Sequence, residues 1–339
     1  MNYQQTPHMV VKPPKWTPEE YAERAALKNG GNAVGVSIFI LEMVMGLISI
    51  GAGIVLTLVL GESKAYEVLT SPMFTTMAQI YISVLGMTVP FIIGARIMKF
   101  KCGQLMSFKR VEINKFVPLV MLAFGIGFLG NFASAYLDTI LTALGQPVQN
   151  IELETPKNIF GELAYFMAIA IFAPFVEEFA FRGVVLGGLR RFGDGFAIFV
   201  SAALFSLIHG NLAQIPFAFV GGLILGYVTV ESGSMWPAIT VHMINNSLSI
   251  LINEYGSRLS DNEYYMLNNL VTLLAIFLGL IGTIWFLKNN PSGFRLKAAE
   301  TKLSGRKKLA AFVSSPGMIG TLVILGINLI LVQFLSGLI

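Results

Sequence analysis

Runs of hydrophobic residues long enough to cross a bilayer recur along this chain, separated by short polar stretches. A hydrocarbon layer of about 30 Å needs roughly 20 helical residues. Segments that meet this need, or come close to it, lie at about 34–60, 73–97, 117–144, 159–189, 195–211, 212–231, 234–253, 265–287 and 317–339. The pattern predicts an all-α, polytopic membrane bundle of eight core helices plus a ninth near the C-terminus. The stretch from Lys288 to Ser315 carries seven basic residues against Glu300 and sets that ninth helix apart, as an appendage to an eight-helix body.

Residues 1–33 are polar and read as a cytoplasmic tail. They lack the short apolar core and cleavage site of a signal peptide, so none is expected. Within them Thr17-Pro18-Glu19-Glu20 combines an N-cap, a proline at the first helical position and a capping-box glutamate. A short surface helix is predicted there, stopping near Gly30-Gly31. The chain then divides into three helices over 34–155, a central unit over 156–253, and two helices joined by a basic loop over 254–339. No solenoid-type repeat is visible.

Composition agrees with a membrane protein: 55% of residues are hydrophobic and 12% charged, against roughly 25% charged in a soluble domain. Charge placement adds an orientation. With the N-terminus inside, 20 of the 23 Lys and Arg residues fall in cytoplasmic segments, and Lys64, Lys157 and Arg258 remain outside. The C-terminus is then expected outside, and the net charge of +4 reads as orientation and anionic-lipid contact, with no nucleic-acid partner. Trp236 and Trp285 fall near expected cytoplasmic helix ends, as interfacial aromatics do. Cys102 has no cysteine to pair with and reads as a free thiol.

Against this background Glu177, Glu178 and Arg182 stand out, since ionisable groups cost roughly 2.5–3.5 kcal/mol each at the centre of a membrane helix. Two of the three histidines, His209 and His242, also lie in apolar segments. Glu178 and Arg182 are four residues apart, a spacing that pairs them on one helix face, while Glu177 is rotated by about 100°. Glu177 is therefore the expected working carboxylate and Glu178–Arg182 the structural pair. Pro174 should kink this helix by freeing the carbonyl of Ala170. Phe205 and His209 share one face of the fifth helix. His242 and Asn246 share one face of the seventh, a spacing that suits either an oxyanion hole or bonding between helices. Asn245 should pack elsewhere, and an opening toward the cytoplasm or the lipid is expected. Glu42 is an intramembrane carboxylate without an assigned role, and Gly222-x-x-x-Gly226 reads as a packing surface.

Taken together, Glu177-Glu178-Phe179-Ala180-Phe181-Arg182, Phe205 to His209 and His242 to Asn246 resemble the motifs E-E-x-x-x-R, F-x-x-x-H and H-x-x-x-N. These mark the CAAX protease and bacteriocin-processing family, also called Abi or the type II CAAX prenyl protease family. The resemblance covers about residues 156–253 and implies an intramembrane endopeptidase. Glu177 and His209 would activate water, His242 and Asn246 would stabilise the oxyanion, and Glu178, Arg182 and Phe205 would support the site. The substrate would be a peptide or a membrane protein. The family has been described both as metal-free and as zinc-dependent. No cofactor is the expectation here, with zinc on Glu177, His209 and His242 as the alternative; the chain has no H-E-x-x-H, and Asn246 is a poor zinc ligand. Two other classes compete: a non-catalytic immunity or scaffold protein of the same fold, and a proton-coupled transporter, which should have inverted repeats that are not found here.

Overall fold

A computed structural model describes residues 16–146, 155–256 and 258–335. Among these the fold is entirely helical. The helices are α1 (Pro18–Leu60), α2 (Glu62–Thr70), α3 (Pro72–Ile97), α4 (Cys102–Leu105), α5 (Ile113–Ala143), α6 (Ile159–Phe192), α7 (Asp194–Leu207), α8 (Ile215–Ser232), α9 (Trp236–Gly256), α10 (Asp261–Asn289), α11 (Gly305–Val313) and α12 (Pro316–Gln333). Each of the nine expected segments is largely one of these helices, with segment-edge residues such as 208–214 and 234–235 lying outside them. Seven helices, α1, α3, α5, α6, α8, α10 and α12, are long and apolar enough to cross a membrane. The other two depart for different reasons. At 14 residues α7 reaches only about 21 Å, whereas α9 has the length but spends it on His242, Asn245, Asn246, Ser247, Ser249 and Asn253.

The expected capping box is present: Thr17 Oγ1 accepts from the amide of Glu20, and the Thr17 amide donates to Glu20 Oε2 at 2.9 Å. The helix it opens does not stop at Gly30-Gly31. It runs on for 43 residues, so the surface helix and the first span are one element. The glycines serve close approach instead. A Cβ on Gly31 would collide with the backbone of Phe312 and with Ser315, and one on Gly35 with the backbone of Gly317.

This contact joins α12 to α1, so the last helix is packed into the body of the protein. Gly317 donates to Asn32 Oδ1 at 2.9 Å and Thr321 Oγ1 to the carbonyl of Gly35 at 2.5 Å. Glu42, unexplained by sequence, accepts from Asn328 Nδ2 at 2.7 Å. Bare backbone also meets where α5 crosses α10 at Gly125 and Gly279. Gly222 and Gly226 of α8 face Ala202 and Ile198 of α7, the packing surface their spacing predicts.

One end of the bundle gathers the basic loops. The amide of Met235 donates to the carbonyl of Ser107 at 2.8 Å, Lys115 pairs with Glu231 at 3.0 Å, and the amide of Lys297 donates to Asp194 Oδ2 at 3.2 Å. The 288–315 stretch is held down at this end. Lys308 donates to the carbonyl of Phe192 at 2.7 Å, and Glu23 accepts from the amide of Lys302 at 2.6 Å. The opposite end carries α2, the α7–α8 turn and the α9–α10 turn. Replacing Gly35 by Leu should force α12 away from α1 and cost about 1–3 kcal/mol, as overpacking of a dense contact does; a lowered thermal midpoint in detergent is the readout.

Candidate active site

Four elements bring the candidate residues together. Helix α6 supplies Glu177, Glu178 and Arg182; α7 and the turn after it supply Phe205 and His209; α9 supplies His242, Asn245 and Asn246. Helix α8 closes one side through the carbonyl of Gly222, 3.5 Å from Arg182 Nη2.

At the base lies a buried ion pair, Arg182 Nη1 to Glu178 Oε1 at 2.9 Å, with both side chains at 0% exposure. The guanidinium also lies 4.4 Å over the ring of Phe205. That ring meets Phe181, His209 and His242 edge-on, at centroid distances of 5.3, 4.9 and 5.7 Å. Phe205 thus packs against the guanidinium and both imidazoles at once, which is a physical reason for an aromatic at this position.

His242 bridges the two glutamates. Its Nδ1 lies 2.8 Å from Glu178 Oε1, and its Nε2 lies 3.6 Å from Glu177 Oε2. A carboxylate only accepts, so Nδ1 carries the proton toward Glu178. His209 is fixed in the same way, its Nδ1–H donating to the carbonyl of Phe205 at 2.8 Å. His209 Nε2 is thereby left for a ligand, while His242 Nε2 faces Glu177. The two glutamates divide as their helical positions predict: Glu178 is sealed at 0% exposure, while Glu177 keeps 18% and lines a cavity.

The helix that carries the glutamates is widened into π-helical turns over Met167–Phe172 and Phe179–Leu186. Pro174 sits just after the first. In a π turn the carbonyl five residues back goes without its donor when the donor is a proline, and that carbonyl belongs to Ile169. Asn246 Nδ2 donates to Ile169 at 2.9 Å, tying α9 to the break in α6. The acceptor anticipated from sequence was the neighbouring Ala170. Asn246 retains a second amide hydrogen. Asn245 does not pack elsewhere: it lines the cavity, and its Nδ2 lies 3.4 Å from Asn246 Oδ1.

The cavity measures about 580 Å³ and contains Glu177, Phe205, His209, His242, Asn245 and Asn246 in its wall. Sequence reasoning missed the other polar members, among them Gln79, Asn131, Gln214 and Asn268. Each is an amide within or beside an apolar helix, a signal that was readable but did not indicate a shared facing. Among the described residues no three His, Cys, Asp or Glu side chains are grouped closely enough to hold a metal ion.

Over this region the comparison with protein families is informative. Residues 159–248 match the model described as type II CAAX prenyl endopeptidase Rce1-like. That match places the segment in the CAAX protease family. No curated protein and no solved structure matched the chain. The matched segment of this multi-pass membrane protein runs from the first residue of α6 into α9, and it contains every residue of the three motifs. What joins the CAAX protease segment to the rest is packing: Phe91 of α3 meets Phe181 at 5.5 Å, and α5 and α10 border the cavity.

Removing one member of a buried ion pair strands the other, at a cost of about 3–5 kcal/mol. Arg182→Ala should therefore lose folded yield and thermal stability, whereas Glu177→Gln, at the cavity wall, should melt close to wild type. Thermal unfolding of the two purified variants separates the supporting residue from the exposed one.

Proposed function

We propose that the protein is an intramembrane endopeptidase in which Glu177 activates water for attack on a peptide bond. The observation that carries this reading is the division between the glutamates. Glu178 is neutralised by Arg182, while Glu177 faces a cavity that also holds His209 and His242, the latter with Nε2 3.6 Å from Glu177. An ion-pair network built only to hold helices together has no need of that second, exposed carboxylate.

In the proposed reaction Glu177 takes a proton from a water molecule, with His209 Nε2 orienting it, and the water oxygen attacks the scissile carbonyl carbon. The carbonyl oxygen becomes an oxyanion. His242, oriented by its Nδ1–H bond to Glu178, faces that charge, and the second amide hydrogen of Asn246 adds a donor. Collapse of the tetrahedral species breaks the C–N bond, and the proton held by Glu177 passes to the departing amine.

Zinc is the second reading, because an imidazole with Nδ1–H on a carbonyl or a carboxylate has the orientation of a zinc ligand. Glu177, His209 and His242 are chemically suited to zinc. The chain has no H-E-x-x-H and Asn246 is a poor zinc ligand, so the metal-free route is preferred and no step is routed through a metal. The immunity or scaffold reading leaves the exposure of Glu177 unexplained.

Cleavage of a quenched peptide library by purified protein tests this. Glu177→Ala should abolish turnover, and His209→Ala should reduce it by about 10²–10⁴. Loss of one oxyanion donor in Asn246→Ala should cost about 10²–10³ in kcat. Insensitivity of the wild type to a zinc chelator is expected; loss with chelator and recovery with zinc would replace the metal-free route. Wild-type activity that persists in Glu177→Ala would overturn the assignment.

A further inference from the structure

The cavity has a direction, and with it a substrate class. On every helix that lines it, the lining residues lie away from the basic end. In α5 they run from Ala123 to Ser134, beyond the turn that holds Lys115. In α9 they run from Val241 to Asn253, away from Trp236; in α10 they are Tyr264 and Asn268, far from Lys288. Asn253 is in the last turn of α9, Tyr264 in the first turn of α10, and Gln214 immediately precedes α8, so the cavity extends to the level of the turns at the end opposite the basic loops.

Toward the basic end it is stopped. Glu178 and Arg182 are buried beneath it. On the basic side of Arg182, Met106 lies against Gly183 and Leu105 against Gly187. Sequence led to an expected opening toward the cytoplasm or the lipid, whereas the lining residues of this cavity lie away from the basic loops.

The wall has a consistent chemistry. Among the described residues that line it, Glu177 is the one carboxylate and no Lys or Arg is present. Its polar members are amides and hydroxyls such as Gln79, Asn131, Gln214, Asn268 and Ser249. A side-chain amide both donates and accepts, as a peptide unit does, so such a wall can satisfy an extended backbone. Beyond Glu177 and the two histidines of the site it offers no ionic partner, so a charged substrate side chain along the rest of the wall would be buried unpaired, which is costly.

Resting on the protease reading, we propose that the substrate is an uncharged, extended peptide segment presented on the face opposite the basic loops. The positive-inside rule makes that face extracytoplasmic.

Two measurements test this separately from catalysis and with it. In a Cys102→Ser background, Asn131→Cys and Ser249→Cys line the cavity, and Ser292→Cys marks the basic loop. An uncharged, membrane-impermeant polyethylene-glycol maleimide should label the two cavity positions in intact cells and fail to label them in inverted vesicles, with Ser292→Cys behaving the opposite way. Cavity labelling only in inverted vesicles overturns the proposal. The second measurement uses proteoliposomes sorted by orientation. A blocked, quenched peptide of Gly, Ser, Asn, Ala and Leu should be cut when the basic face points into the lumen, and its Lys- or Asp-substituted versions should lose cleavage.

Cleavage only with the basic face outward overturns the substrate side while leaving the protease reading in place, and equal cleavage of the charged peptides overturns the uncharged class. Outer labelling without cleavage of any peptide in either orientation removes the protease reading, and the substrate proposal with it.

Discussion

A guanidinium and a carboxylate buried against each other in the middle of a membrane bundle impose the strictest condition on this molecule. Neither Glu178 nor Arg182 could stay charged there alone, because stripping an ion of water costs several kcal/mol even after relaxation. Their contact at 2.9 Å lowers that cost, and the Phe205 ring beneath the guanidinium and the Nδ1–H of His242 lower it further. Three helices are thereby fixed in register, since α6 provides both charges, α7 the aromatic face and α9 the imidazole. Glu177 is placed as a by-product of that register: one residue along, about 100° around, and on the cavity side.

The irregular backbone of α6 belongs to the same arrangement. A wide turn before Pro174 leaves a carbonyl in need of a donor, and the bilayer interior supplies no water to provide one. Asn246 supplies it. The asparagine that the resemblance assigns to chemistry is therefore also part of what seats α9 against α6, and its two amide hydrogens allow both uses.

The sequence revealed different features to different depths. Charged groups in apolar runs are rare enough that Glu177, Glu178, Arg182, His209 and His242 could be singled out from position alone, and the i, i+4 spacing of Glu178 and Arg182 gave their pairing. Neutral polar residues were harder to read. Asn131, Gln214 and Asn268 are inexpensive enough in a helix to face almost anywhere, so only the tertiary arrangement shows that they share one wall. Gly30-Gly31 misled for a definite reason: a glycine pair both ends helices and lets them touch, and choosing between these requires knowing that Phe312 and Ser315 lie opposite. The break in α6 was anticipated at Pro174 but one carbonyl away, because an α register was assumed where the turn is π. Access from the cytoplasm or the lipid was inferred from depth along each helix, which says nothing about which neighbouring helices line the cavity or toward which end.

The polarity of α9 has a consequence for how the protein is made. A segment holding a histidine, three asparagines and two serines partitions poorly from the translocon into lipid by itself, since polar and charged residues oppose insertion. Its stay in the bilayer depends on surfaces that α6 has already brought there, namely Glu178 for His242 and the open carbonyl of Ile169 for Asn246. Biogenesis and chemistry therefore draw on the same side chains, and a change at either contact bears on membrane integration as well as on turnover.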